Sequence, residues 1–152
     1  MTTMNSHFFR GALLLIGIVI LVQNFTQPAS AEALLKPDEK SVVKLGNGIY
    51  QELCASCHGK NLKGQPNWQT PDADGLLPAP PHDKTGHTWH HTDALLFKLT
   101  KFGIAKIANL KDHKTSMPIY DGVLSDEEII AVLSYIKSTW PENIRKRHDQ
   151  RN

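Results

Sequence analysis

Two stretches of the chain carry apolar residues at helical spacing. Between about Lys40 and Ala55, one apolar stripe is formed by Val42, Leu45, Ile49 and Leu53. Nearer the C-terminus, a second stripe is formed by Ile129, Val132, Leu133 and Ile136. Apolar residues that recur every three or four positions lie on one face of an α-helix, so both stretches are predicted to be amphipathic helices.

The ends of the second predicted helix are marked by local signals. Ser125 is placed as its N-cap, and Glu128 three residues on can complete a capping box. Pro141 disfavours helical geometry in the residue before it. We therefore expect this helix to end near Thr139 or Trp140.

A third, shorter helix is predicted from Asp93 to Phe102, with Thr92 as its N-cap and Gly103 just past its end. The segment between the first and third helices is rich in proline, glycine and histidine and should be mostly loop. No segment alternates in the manner of a β-strand. The pattern predicts an all-α domain of three or more helices, whose small core a large apolar cofactor would complete.

The first 31 residues differ from the rest of the chain. Arg10 is followed by 12 apolar residues from Gly11 to Val22 and a polar stretch that ends in Ala31, which is the layout of a signal peptide. Such a run would rise about 18 Å as a helix, against roughly 30 Å for the hydrocarbon core of a bilayer. We expect residues 1–31 to be cleaved and residues 32–152 to form one exported domain. An uncleaved membrane anchor is the alternative.

The charge balance argues against nucleic acid as a partner. Residues 1–31 hold one of the 17 Lys and Arg residues and none of the 15 Asp and Glu residues, so the remainder is nearly neutral. It lacks the basic field on which non-specific nucleic-acid binding depends. A short basic tail from about residue 142 is the local exception, and we expect it to be solvated; its cations are Arg145, Lys146, Arg147 and Arg151.

The two cysteines of the chain lie in Cys54-Ala55-Ser56-Cys57-His58, the attachment signature of c-type haem. Two thiols at this spacing can add to the two vinyl groups of the porphyrin, and His58 can then bind the iron. A disulfide or thioredoxin-like redox pair and half of a zinc site are the alternatives. Neither of them explains His58, and a zinc site lacks its second ligand pair. We predict one covalently attached haem c, held by Cys54, Cys57 and His58.

Beyond residue 31 the chain contains a single methionine, Met117, in a polar loop ahead of the last helix. We predict that Met117 closes over the other haem face as the second axial ligand of the iron. Pro118 favours an extended backbone at Met117, which would stiffen this loop. The alternatives are that Met117 fills a gap in the core and that His113 is the ligand.

Four stretches resemble the class I cytochrome c family, in particular its small bacterial mono-haem members. They are Gly46-Asn47-Gly48-Ile49-Tyr50 with Cys54-Ala55-Ser56-Cys57-His58-Gly59, Pro78-Ala79-Pro80-Pro81, Met117-Pro118, and Leu124-Ser125-Asp126-Glu127-Glu128. Together they span residues 40 to 140. The resemblance implies the cytochrome c fold, with helices and long loops around one haem, and electron transfer rather than enzymatic catalysis.

The resemblance also implies roles for other residues. In that family a proline carbonyl accepts the Nδ1 proton of the proximal histidine, and Pro80 is the candidate here, with Pro81 as the alternative. A glycine and an aromatic residue of the first helix cross an aromatic residue of the last, which corresponds to Gly46, Tyr50 and Tyr135. A periplasmic or otherwise exported electron carrier would meet membrane complexes or soluble redox proteins, as a monomer or as a subunit of a larger oxidoreductase.

The chain departs from the simplest members of that family in an inserted middle segment. Within ten residues this segment holds His82, His87, Trp89, His90 and His91. The histidines are interpreted as exposed loop residues, as hydrogen-bonding partners of the haem propionates or as a second metal site, for example for copper. The rival functions are therefore a haem enzyme or gas-binding sensor with an open distal site, and a copper-handling haem protein.

Overall fold

A computed structural model of the chain describes residues 34–110 and 114–152. The predicted signal peptide and the alternative ligand His113 lie outside these residues. Within the described residues the structure is helical and contains no β-strand, so the predicted all-α class is confirmed. No helix among them is long and apolar enough to cross a membrane.

The first predicted helix continues for three residues beyond its expected end. It comprises α1 (Lys40–Ile49), a π-helical turn (Tyr50–Cys54) and α2 (Ala55–His58). The helix stops at Gly59, which has a φ of +79° and whose N–H donates to the Ala55 carbonyl. Glycine adopts this backbone geometry at little cost, so Gly59 sets the boundary that the apolar stripe alone did not.

The other two predicted helices are present. After a 3₁₀ turn at Thr88–His90, α3 spans Asp93–Phe102, is capped by Thr92 and is followed by the short α4 (Ile104–Ile107). The last predicted helix is α5 (Asp126–Ser138), which begins with the expected capping box between Ser125 and Glu128. The cap side chain and the Glu128 carboxylate each satisfy a backbone N–H that the helix leaves free.

α1 packs across α5 at very short range. A Cβ added at Gly46 would overlap the backbone carbonyl of Ala131, so the helices touch backbone to backbone at this point. The Tyr50 and Tyr135 rings meet beside this crossing with their centroids 5.4 Å apart. The core contains Leu35, Ile49, Tyr50, Ala55, Leu62, Leu96, Tyr120, Ile129, Val132, Leu133, Ile136, Trp140 and Ile144.

The predicted basic tail is a helix rather than a simply solvated end. α6 spans Glu142–Asp149 and buries Ile144 and His148, while the neighbouring Lys146 and Arg147 stay exposed. One apolar and one aromatic polar residue four positions apart lie on the same helix face, and this face docks on the domain. The clustered positive charge of the tail obscured that pair in the sequence.

Candidate haem-binding site

The end of the first helical segment carries the three residues of the predicted attachment motif. Cys54 closes the π-helical turn, and Cys57 and His58 lie in α2. Both cysteines are free; Cys54 is partly buried and Cys57 is exposed. Residues three positions apart on a helix share one face, so the two thiols are placed for a common ligand.

The surroundings of Cys54 are those of a neutral thiol. Burial raises the pKa of Cys54 to about 11, the neighbouring Cys57 raises it further, and a hydrogen bond with Tyr120 opposes the rise. Within residues 34–110 and 114–152, no group of three or more His, Cys, Asp or Glu side chains is arranged to hold a metal ion. The two cysteines beside His58 are both free, as covalent attachment of a haem requires.

His58 is buried and is held in one tautomer. Its Nδ1 lies 2.9 Å from the carbonyl oxygen of Pro80, which is the contact that the family resemblance implies. A carbonyl can only accept, so Nδ1 carries the proton and donates it, and Nε2 keeps its lone pair. Burial lowers the pKa of His58, while the hydrogen bond to Pro80 opposes that shift. The ring is thus a neutral imidazole, the form that binds a metal.

The Pro80 carbonyl is fixed by the loop that follows the motif. The Gly64 N–H donates to the His58 carbonyl at 2.8 Å, which folds the loop back on the helix end. Gln65 then makes two bonds to Ala79: its N–H donates to the Ala79 carbonyl at 2.9 Å, and its Oε1 accepts from the Ala79 N–H at 3.0 Å. This pairing holds the residue before Pro80 in register with His58, and sequence analysis did not single it out.

Two glycines let backbone pass close to Pro81 on either side. A Cβ at Gly64 would lie 2.5 Å from the Pro81 nitrogen, and one at Gly86 would overlap the Pro81 carbonyl oxygen. Gly64 also has a φ of +65°, which favours glycine. The alternative acceptor, the Pro81 carbonyl, is contacted instead by the Thr88 hydroxyl at 3.5 Å. The loop geometry thus presents Pro80 rather than Pro81 to His58.

In the histidine-rich middle segment, the His87 and His91 rings meet edge to face with their centroids 5.4 Å apart. His82 stacks on His58, whereas His87 lies against Trp68 with ring centroids 5.4 Å apart, and His90 lies against Trp89. His87 and His90 are exposed, as the loop interpretation expects. The structure supplies a position for His82 that none of the three interpretations included, because the contact joins residues 24 positions apart in the sequence.

The loop that carries Met117 is tied to the helix that carries the motif. Met117 is partly buried, and its N–H donates to the Thr115 hydroxyl at 3.1 Å. Three residues on, the Tyr120 hydroxyl donates to the Leu53 carbonyl at 3.1 Å, directly before Cys54. The loop is also paired with α3 through the bond from the Asp121 N–H to the Lys101 carbonyl. The role of Met117 as a ligand stays a prediction.

These groups fit a covalently bound haem. Cys54 and Cys57 are unpaired thiols on one helix face. The imidazole next to them is neutral, and a backbone acceptor directs its proton away from Nε2. Two thiols and an imidazole arranged in this way suit a covalently attached porphyrin with a histidine on its iron.

Comparison with known proteins agrees with this geometry. Residues 43–140 match the family model described as Cytochrome c, and this match spans more than half of the chain and includes the attachment motif, Pro80 and Met117. No curated protein and no solved structure matches the chain. The chain therefore belongs to the cytochrome c family.

Proposed function

We propose that the protein is a one-electron carrier that works outside the cytoplasmic membrane. One haem c would be attached through Cys54 and Cys57, with His58 and Met117 as the axial ligands of the iron. The haem supplies the redox chemistry, by cycling between ferric and ferrous iron. The observation that carries the proposal is the bond from His58 Nδ1 to the Pro80 carbonyl at the end of a helix with two free thiols.

The residues around the site would keep its geometry the same in both oxidation states. His58 is tied to Pro80 at 2.9 Å, and the loop of Met117 is tied to Leu53 through Tyr120 at 3.1 Å. Both anchors attach to the same helix end. Little rearrangement accompanies electron transfer when the ligands are held in this way, which is the property that a carrier requires and an enzyme with an open site does not.

The proposed partners are membrane complexes or soluble redox proteins. Electron-transfer encounters typically bury small interfaces and are weak, which allows rapid exchange. Export is supported by the signal-peptide layout of residues 1–31 and by an attachment chemistry that takes place outside the cytoplasm. No large charged field on the chain favours nucleic acid.

The axial role of Met117 is tested by Met117→Ala in the haem-loaded protein. We expect the oxidised wild type to show the weak near-infrared charge-transfer band of a methionine sulfur on ferric haem. The variant should lose this band, bind carbon monoxide when reduced and have a lower reduction potential, because a thioether ligand raises the potential. Val123→Ala, which trims an exposed side chain six residues on, should behave like the wild type.

A high-spin or bis-histidine spectrum in the wild type would contradict the proposal. In that case a high-spin spectrum would indicate an open distal site with a catalytic or gas-binding function, and a bis-histidine spectrum would indicate a histidine in place of Met117. The comparison of Met117→Ala with Val123→Ala separates loss of a ligand from general loosening of the loop.

A further inference from the structure

His82 lies against His58, the proposed proximal ligand of the iron. Its ring stacks on the His58 ring with centroids 4.0 Å apart and an angle of 25° between the planes. The His82 ring also presents to the Tyr50 ring edge to face at 6.4 Å. His82 is half-buried, so the contact is made within the domain rather than on a mobile surface loop.

The position of His82 is fixed from both sides of its backbone. Its N–H donates to the Leu62 carbonyl at 2.7 Å, in the loop that follows the attachment motif. Its carbonyl accepts from the indole Nε1 of Trp140 at 2.7 Å, beyond the end of α5. These two short bonds place the Cα of His82 between the loop and the last core helix.

The His82 ring is oriented by a relay of hydrogen bonds. Its Nδ1 lies 2.8 Å from the Thr88 hydroxyl, and that hydroxyl lies 3.5 Å from the Pro81 carbonyl. The carbonyl can only accept, so the hydroxyl donates to it and accepts from His82 Nδ1–H. These hydrogen bonds fix the plane of the His82 ring. The His58 ring, which stacks on it, is thereby held close to parallel with that plane.

Building on the proposed haem ligation, we propose that His82 is a positioning residue that fixes the plane of the His58 imidazole and stabilises the ferric state. The bond from His58 Nδ1 to Pro80 holds one atom of the ring but leaves the ring free to swing about that contact. Stacking on His82 removes this freedom. The plane of the imidazole on the iron is thereby determined by two contacts rather than one.

The same stack has an electrostatic consequence. An imidazole bound to ferric iron carries more positive charge than one bound to ferrous iron. The π face of an aromatic ring attracts positive charge. Because His82 presents its face to His58, it favours the oxidised state and lowers the reduction potential. His82 would in this way lower the reduction potential of the haem without binding its iron.

The test compares His82→Leu with His82→Phe in the haem-loaded protein. Leucine fills a similar volume without a π face, and we expect it to shift the equilibrium roughly tenfold toward the reduced form, which is about 59 mV for one electron. Phenylalanine keeps the stack and should stay within twofold of the wild type. His90→Ala, in the same segment but exposed, should change neither the potential nor the spectrum.

Electron paramagnetic resonance of the ferric protein reads the orientation of the ligand plane. We expect His82→Leu to broaden or shift the low-spin g values. Thr88→Val, which removes only the hydroxyl that orients His82, should produce the same change without altering the volume packed against His58. Wild-type potential and g values in both His82→Leu and Thr88→Val would overturn the proposal, as would equal shifts in His82→Leu and His82→Phe.

Failure of the proposed ligation would look different from failure of this inference. If the wild type lacked a low-spin spectrum and His58→Ala left its spectrum unchanged, the assignment of His58 would fall. If the wild type showed the expected ligation and the His82 variants kept the wild-type potential and g values, only the positioning role of His82 would be refuted.

Discussion

Alanine in place of Gly46 should destabilise the folded protein by about 3 kcal/mol, near the upper end of what overpacking a core usually costs. The reason is steric, because the added Cβ would overlap the Ala131 carbonyl where α1 crosses α5. The obstacle is backbone, so no rotamer change can relieve it and the two helices must separate. Their separation would loosen the contact between Tyr50 and Tyr135, whose ring centroids are 5.4 Å apart.

Gly48→Ala is the matched control for Gly46→Ala. Gly48 lies in the same helix, is exposed, and would place a Cβ with no atom within 4 Å. Alanine is favoured over glycine in a helix by about 1 kcal/mol, so this variant should be slightly stabilised. Urea unfolding of the haem-loaded variants, followed by helical circular dichroism, measures both effects. If Gly46→Ala were as stable as Gly48→Ala, the close crossing would be refuted.

The sequence was most informative where a local rule decides the structure. The capping box of Ser125 and Glu128 fixed the start of α5, and Thr92 and Gly103 bounded α3 at the predicted residues. The attachment motif similarly placed Cys54, Cys57 and His58 together at one helix end. Each of these signals lies within a few residues in the sequence, where spacing translates directly into geometry.

The contacts that organise the site were not predictable in the same way, because they join distant parts of the chain. The stack of His82 on His58 and the paired bonds of Gln65 with Ala79 depend on how the proline-rich loop folds back. The proline, glycine and histidine content of this segment predicted a loop but not its contacts. The docking of α6 was hidden for a related reason, since His148 reads as part of a basic tail until its buried partner Asp93 is known.

Asp93 is the centre of a buried polar cluster that joins four parts of the fold. Its Oδ1 accepts from His148 Nε2 at 2.6 Å and lies 3.4 Å from Lys137 Nζ. Its Oδ2 accepts from the Leu35 N–H at 3.0 Å. The side chains of Lys137 and His148 are 2% and 0% exposed, so neither can turn to water if the carboxylate is lost. Asp93 therefore connects α3, α5, α6 and the segment before α1.

Replacing Asp93 by asparagine should cost about 3 kcal/mol of stability near neutral pH, the lower part of the range for breaking a buried ion pair. The loss is moderated because Lys137 keeps a second partner, Asp149, at 2.7 Å. Asp121→Asn is the control, since Asp121 is 55% exposed and lies 3.9 Å from Lys101. An exposed pair of this kind is screened by water and contributes little to stability. Urea unfolding of the three haem-loaded proteins measures the difference.

The effect of Asp93→Asn should also depend on pH in a defined direction. Burial alone would raise the pKa of Asp93, but the hydrogen bonds from His148 and Leu35 and the charge of Lys137 outweigh it and lower that pKa below its usual 3.8. A carboxyl with a depressed pKa in the folded state stabilises the protein above the pKa of the unfolded chain, and this contribution is lost as the pH falls through the folded value. The wild type should therefore lose stability below about pH 4 more steeply than Asp93→Asn, and the two curves should converge. A constant gap between them down to about pH 2 would show that ionisation of Asp93 does not hold α6 to the domain.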